Sequence, residues 1–366
     1  MTRVAVVGGG LVGFVAYTTL RRGGLAPEEI TVFATELDPT AAWRRRAAAI
    51  RQTHMRSESD GHCLPTSFPG LAVREAGRRA SLRPLVQSVC DRYHPAVADF
   101  LAQAEELRER CGWDGSVVQA RVERVRPVEG GFELDGHGSF PHVLIATGHP
   151  GLNLPEELEG DTRAVHAYEP HEYAAHVTVV GAGMAAATEW LNALAAGAEV
   201  VSVRRREPVR RPLNVPRPYF SRRGLAEFHR LGADERAARL RTLLAPSYPP
   251  GRQFDEPLAR AAAEGRFRVE EAVNGTEQVI CATGFRRGFA EDPLLARLVA
   301  EHGLATAAGW IVLAPDSTVA ELSDRTRTLS LAGSPAHWAF PAADTLAGGK
   351  YAARAFLARV KACPTR

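Results

Sequence analysis

Residues 177–186 read Val-Thr-Val-Val-Gly-Ala-Gly-Met-Ala-Ala, an apolar run that breaks into glycines and resumes as a helical pattern through Leu194. A continuous apolar run closed by glycine reads as a buried parallel strand. Gly181, Gly183 and Ala186 then stand at G-x-G-x-x-A spacing. The first turns the chain, the second lets a pyrophosphate approach the backbone, and the third lets helix pack on strand. One such motif is a weak signal. Residues 4–13, Val-Ala-Val-Val-Gly-Gly-Gly-Leu-Val-Gly, repeat it with Gly8, Gly10 and Gly13, ahead of a helix-compatible stretch, Phe14–Leu20. In each unit a pyrophosphate would sit on the helix N-terminus, where free N–H groups and the dipole favour an anion. The two units predict an α/β chain with two Rossmann-like dinucleotide-binding domains.

The residues just past the second strand of each unit distinguish two ligands. After Glu199–Val203 come Arg204, Arg205 and Arg206, where an acidic residue would hold an NAD ribose. Guanidinium pairs bidentately with phosphate oxygens, so Arg204 and Arg205 predict a 2′-phosphate and hence NADPH. In the first unit the strand is Ile30–Phe33 and the expected ribose carboxylate falls at Ala34, with Glu36 and Asp38 in reach instead.

The rest of the composition fits a globular enzyme. The 366 residues suit two domains; 45% are hydrophobic and 24% charged, and 45 basic against 42 acidic side chains leave a net charge of only +3. That balance excludes a polyelectrolyte nucleic-acid binder. No apolar run approaches the ~18 residues of a membrane span, and no signal peptide is evident. The cysteines (Cys63, Cys90, Cys111, Cys281 and Cys363) show no CxxC and no metal spacing. Reduced thiols, a cytoplasmic location and no metal are expected.

Further segments carry a family resemblance. Val143-Leu-Ile-Ala-Thr-Gly148 and Val279-Ile-Cys-Ala-Thr-Gly284 are apolar strands ending in Ala-Thr-Gly, and Leu329-Ser-Leu-Ala-Gly333 precedes a helical pattern over 344–358. This arrangement resembles two-domain flavoproteins that bind FAD in the first domain and NAD(P)H in the second. Ala164-Val-His166-Ala-Tyr168 is similar to the His-centred fingerprint of class B flavin monooxygenases, without its preceding Phe-x-Gly. Pro218–Ser221, Leu225–Phe228, Asp234–Arg236, Leu240, Leu243, Leu244 and Tyr248 resemble the insert of the ornithine/lysine N-hydroxylase family. So do Ala282-Thr-Gly-Phe285 and Asp344-Thr345-Leu346.

The resemblance implies an FAD-binding domain over residues 1–160 and 290–366, and an NADPH-binding domain with a helical insert over 161–289. It implies flavin contacts at Thr147, Gly148, Gly333, Asp344 and Thr345, with Glu36 and Trp43 near the cofactor. It implies a flavin C4a-hydroperoxide that oxygenates a soft nucleophile, an amine nitrogen first and a sulfide second. Asn214, with the nicotinamide amide, is the candidate donor that holds the oxygen; the family's own asparagine position is Arg217 here, and its Gly-Asp is Gly333-Ser334. Met55, Arg56 and His62 are candidates for lining the substrate site. The expected partners are a small molecule and O2, with neither nucleic acid nor membrane, and a homo-oligomer left open. Two rivals share these motifs: an NADPH-dependent flavoprotein reductase that never oxygenates, and a dinucleotide-binding sensor, to which Ala34 and Ser334 lend support.

Overall fold

The structure, a computed structural model, describes residues 3–56, 70–90, 92–275 and 277–363. Two five-stranded parallel sheets organise it. The first has the strand order Thr328–Leu331, His142–Ile145, Val4–Val7, Ile30–Ala34, Val117–Gln119. In the second the order is Phe267–Glu270, Glu199–Val203, His176–Val180, Gln278–Cys281, Ala164–His166. Strands that read as unbroken apolar runs are covered on both faces, and all four residues of Val4–Val7 are buried. A chain with two glycine-turn motifs thus forms two Rossmann-like units, and the strand nearest the C-terminus returns to the first sheet beside His142–Ile145.

Helix Leu11–Arg22 follows the first glycine turn and packs along Leu346–Ala362. On its other side Phe14 and Tyr17 meet Trp113 edge-on, at 5.1 and 5.2 Å between ring centroids. Tyr17 secures the contact by donating to the carbonyls of Cys111 and Gly112. Helix Met184–Ala195 has the same place in the second unit, with Trp190 fully buried.

Two stretches with apolar residues every three or four positions, 84–110 and 223–244, each form two helices. The first becomes Arg83–Val89 and Val97–Cys111, separated at Pro95, whose ring disfavours helix at the preceding residue. The second divides at Gly232 into Arg222–His229 and Ala233–Leu243. This helix pair does not pack under the second sheet. Leu225, Phe228, Leu240 and Leu243 join the core that contains Leu329, Leu331, Trp338 and Phe340.

Candidate functional site

In an open parallel sheet, ligands bind beyond the carboxyl ends of the strands where the strand order reverses. In the first sheet successive strands leave Val4–Val7 toward Ile30–Ala34 on one side and His142–Ile145 on the other. The crevice therefore lies between the Gly8 turn and the Ala146–Gly148 turn. Gly8 has φ +109°, and a Cβ on it would overlap the Ala146 carbonyl oxygen, so glycine is required there. A Cβ on Gly13 would overlap the Gly8 carbonyl. Gly10 differs: it is the N-cap residue of helix Leu11–Arg22, no side chain caps that end, and a Cβ would meet nothing within 4 Å. The helix N-terminus thus opens onto space that a polyanion's oxygens fit.

The second sheet repeats the arrangement between His176–Val180 and Gln278–Cys281. Gly181 has φ +139° and lies against the Ala282 carbonyl, Gly183 is the uncapped N-cap residue of Met184–Ala195, and Ala186 is fully buried. Pro246 approaches within 3.7 Å of a Cβ built on Gly183, so this cradle has a wall that the first lacks.

Around the first crevice, the Thr147 Oγ1 is buried with no hydrogen-bond partner, and Gly148 has φ +78°. Gly333 has φ +75°, and the Ser334 hydroxyl after it donates to the Gly148 carbonyl at 2.6 Å, joining two strand ends. Thr345 caps helix Leu346–Ala362, accepting from the Gly348 amide at 3.2 Å. Glu36 accepts two bonds from Arg45, at 2.9 and 2.6 Å, which hold its carboxyl below the usual range. Asp38 turns back onto the Thr40 amide and hydroxyl, both at 2.8 Å. Trp43, on helix Ala41–Ala49, packs edge-on against buried Phe100 at 5.0 Å.

At the second site Arg204 is 15% exposed, lies over the Trp190 ring at 5.9 Å and pairs with Glu207 at 3.0 Å. Its Nε is buried without a partner. Arg205 stands 85% exposed and reaches Glu157 at 2.9 Å.

The segments that follow the two Ala-Thr-Gly turns are joined by a stack of rings. Tyr168, Phe285 and His149 lie face to face, 5.0 and 4.4 Å apart with 11° between planes, and the Arg46 guanidinium is 4.8 Å from the Phe285 centroid. Backbone pairing fixes the stack. The Asn153 amide donates to Gly284 and the Arg286 amide to Gly151, both at 2.9 Å. His166 is held too: it accepts from the Tyr168 amide at Nδ1 and donates from Nε2 to Gly284 at 3.0 Å.

Asp344 lies 3.8 Å from His149 and 3.5 Å from His337. Burial raises its pKa, yet the His337 and His149 rings outweigh that and hold the carboxyl well below the usual range. Burial pushes His149 down to about 4 despite that neighbour. No sequence motif pointed to His149 or His337. A histidine directly after the first Ala-Thr-Gly was the available signal for one; His337 had none.

Arg56 and Asn214, far apart in sequence, are in contact. Arg56 Nη1 donates to Asn214 Oδ1 at 2.7 Å, and its other N–H groups reach the carbonyls of Arg211, Pro212, Leu213 and Ser247. Met55 is tied to the Pro95 carbonyl through its amide at 2.8 Å. His62 lies outside the described residues.

Among the described residues no group of three His, Cys, Asp or Glu side chains is placed to hold a metal, and no helix is long and apolar enough to cross a membrane. No protein-family model matches the sequence, and no curated protein sequence matches it. Solved structures do. The chain is similar to the cadaverine monooxygenase of desferrioxamine biosynthesis from Erwinia amylovora, solved with FAD (TM-score 0.72, 13% identity, 100% of this chain and 96% of that one). It is similar to the ornithine N-hydroxylase of Kutzneria sp. 744, solved with reduced FAD, NADP+ and L-ornithine (TM-score 0.71, 14% identity, 99% of each chain). A bacillithiol disulfide reductase from Bacillus cereus matches at TM-score 0.59, with 15% identity and 98% of each chain. At such identities the likeness establishes the fold: two Rossmann-like units in one chain.

Proposed function

We propose that this chain is an FAD- and NADPH-dependent monooxygenase acting on an amine nitrogen, with residues 1–160 and 290–366 holding the flavin nucleotide and 161–289 the nicotinamide nucleotide. The observation that carries this reading is the pair of uncapped glycine-turn helix N-termini, Gly10 and Gly183, each at the order reversal of its own sheet. The higher TM-scores of the two amine oxygenases than of the disulfide reductase support the amine branch.

Bound FAD and NADPH supply hydride transfer and the activation of O2. The chain's residues bind and shield them. The N–H groups beyond Gly10 and Gly183 receive the pyrophosphates, and Arg204 and Arg205 offer guanidinium donors to a 2′-phosphate. Thr147 Oγ1 supplies a donor at the first crevice that is otherwise left unpaired. The Tyr168–Phe285–His149 stack walls the junction against water, which strengthens every polar contact inside. Asn214 presents its amide nitrogen as a donor, since its oxygen is taken by Arg56.

The test is flavin absorbance under anaerobic conditions, with NADPH and then NADH. Bleaching by NADPH, at least tenfold faster than by NADH, is expected; admitting air with ornithine, lysine or cadaverine should then yield a hydroxylamine. Failure to bind flavin overturns the reading. Bleaching followed by full conversion of O2 to peroxide with every amine leaves a reductase instead.

A further inference from the structure

Glu189 is the only charged residue of helix Met184–Ala195, and it is fully buried. An isolated carboxylate in a low dielectric is costly, so its partners matter. Its Oε2 accepts from the Tyr173 hydroxyl at 2.8 Å and lies 3.0 Å from His171 Nε2, while Oε1 is buried without a partner. The His171 and Glu189 side chains are 3% and 0% exposed. The other ring nitrogen, Nδ1, lies 2.7 Å from the Glu169 carbonyl. A carbonyl only accepts, so Nδ1 donates there, and the carboxylate takes the proton of Nε2. A ring that donates from both nitrogens is an imidazolium. Neither neutral tautomer can make both bonds, because each has a single N–H.

The pair lies where remote stretches of chain converge. Residues 167–175 connect strand Ala164–His166 to strand His176–Val180, and they carry His171 and Tyr173. Arg51, just past helix Ala41–Ala49, pairs with Glu172 at 2.8 Å and lies 4.5 Å from the Tyr173 ring centroid. Asn192, on the same helix as Glu189, donates to the Ile50 carbonyl at 2.8 Å. Arg51 has φ +49°, a region that residues other than glycine seldom adopt, so contacts hold the chain there. Tyr168 and Arg46, both in contact with Phe285, belong to the segment and to the helix that this cluster anchors. The titratable and charged groups around His171 are Glu189, Tyr173 edge-on at 5.4 Å, and Arg51.

We infer that the His171–Glu189 pair is a proton-operated latch, holding residues 167–175 and the end of helix Ala41–Ala49 onto helix Met184–Ala195. The latch does not depend on which ligands the two crevices take. Burial opposes the charge on His171, but Glu189 and the Glu169 carbonyl outweigh it, with Arg51 against them, and raise the pKa above its ordinary value. The latch is therefore fully closed below pH ~6.5 and is lost as the pH rises through the raised value. Loss of the proton leaves one ring nitrogen facing an acceptor with no hydrogen between them, and a buried carboxylate without its counter-charge. Residues 167–175 then swing free of the helix, and the contact between the two Rossmann-like units loosens.

Two measurements on the full-length protein test this. The first is the imidazole 15N spectrum at pH 7, with His171 assigned by its loss in His171→Gln. Protons on both ring nitrogens are expected; a proton on only one overturns the inference. The second is hydrogen exchange of peptides spanning 167–175, corrected for the intrinsic effect of pH. Wild type should exchange at least tenfold faster at pH 9 than at pH 6.5, while strand His176–Val180 stays equally protected. Glu189→Gln removes the charge that the proton answers, so its ratio between the two pH values should be close to one. The same ratio in Glu189→Gln and wild type overturns the inference. Where neither variant folds, the wild-type exchange ratio decides alone, and a value below tenfold overturns it.

Discussion

Three glycines in one turn do three jobs, in the order that their places in the G-x-G-x-x-G spacing predict. Gly8 is demanded by its backbone, Gly13 by the Gly8 carbonyl above it, and Gly10 by nothing inside the protein. Substitution separates them. Gly13→Ala should destabilise the apoprotein by about 1–3 kcal/mol through overpacking, read as a lower midpoint in urea. Gly10→Ala should leave that midpoint unchanged and weaken FAD binding at least tenfold, measured by flavin fluorescence. Unweakened flavin binding in Gly10→Ala would mean that its open face receives no ligand. The same scale shows why some candidates were readable and others not. Arg204 and Arg205 come after a strand whose end is fixed by sequence, so their place was legible. Glu36 was legible as a nearby carboxylate, but its bidentate pairing with Arg45 depends on how helix Ala41–Ala49 lies against the strand.

Elements were legible where the signal is local. Expected strand Glu199–Val203 forms as read, and helix Phe14–Leu20 extends to Leu11–Arg22. Helix Pro293–His302 shows how complete such local coding can be. Asp292 accepts from the Leu294 and Leu295 amides at 3.0 and 3.3 Å, Pro293 occupies the first turn, and Gly303 leaves the helix with φ +60°. Asp292→Ala should cost about 1 kcal/mol of stability. Its flavin affinity should match wild type; a loss of both would mean that this helix end also supports the first crevice. Apolar spacing persists across Pro95 and Gly232, where backbone constraints and not the period decide the break between helices.

Over the whole molecule, buried histidines set a pH limit. Burial pushes both His142 and His149 down to about 4, with Arg3 adding to the effect at His142. From an ordinary value of ~6.5 in the unfolded chain, the unfolded state binds protons that the folded state refuses. Their contribution is therefore fully present above pH ~6.5, falls as the pH drops toward about 4, and falls no further below it. Each histidine accounts for up to about 3 kcal/mol of this loss. Urea midpoints between pH 7.5 and 4.5 should drop for wild type and drop less for His142→Gln; parallel curves would refute the assignment. Sequence by itself determined that there are two strand–glycine–helix units, where their strands run and which residues come after them, because propensity, periodicity and glycine conformation act over a few residues. Only the tertiary structure decided that His149 stacks with Phe285 and Tyr168, that the helices of the insert pack in the core beside Trp338, and that Arg56 orients Asn214. Those contacts join segments remote in the chain, and their geometry arises from how two sheets and their connections pack, which no local pattern encodes.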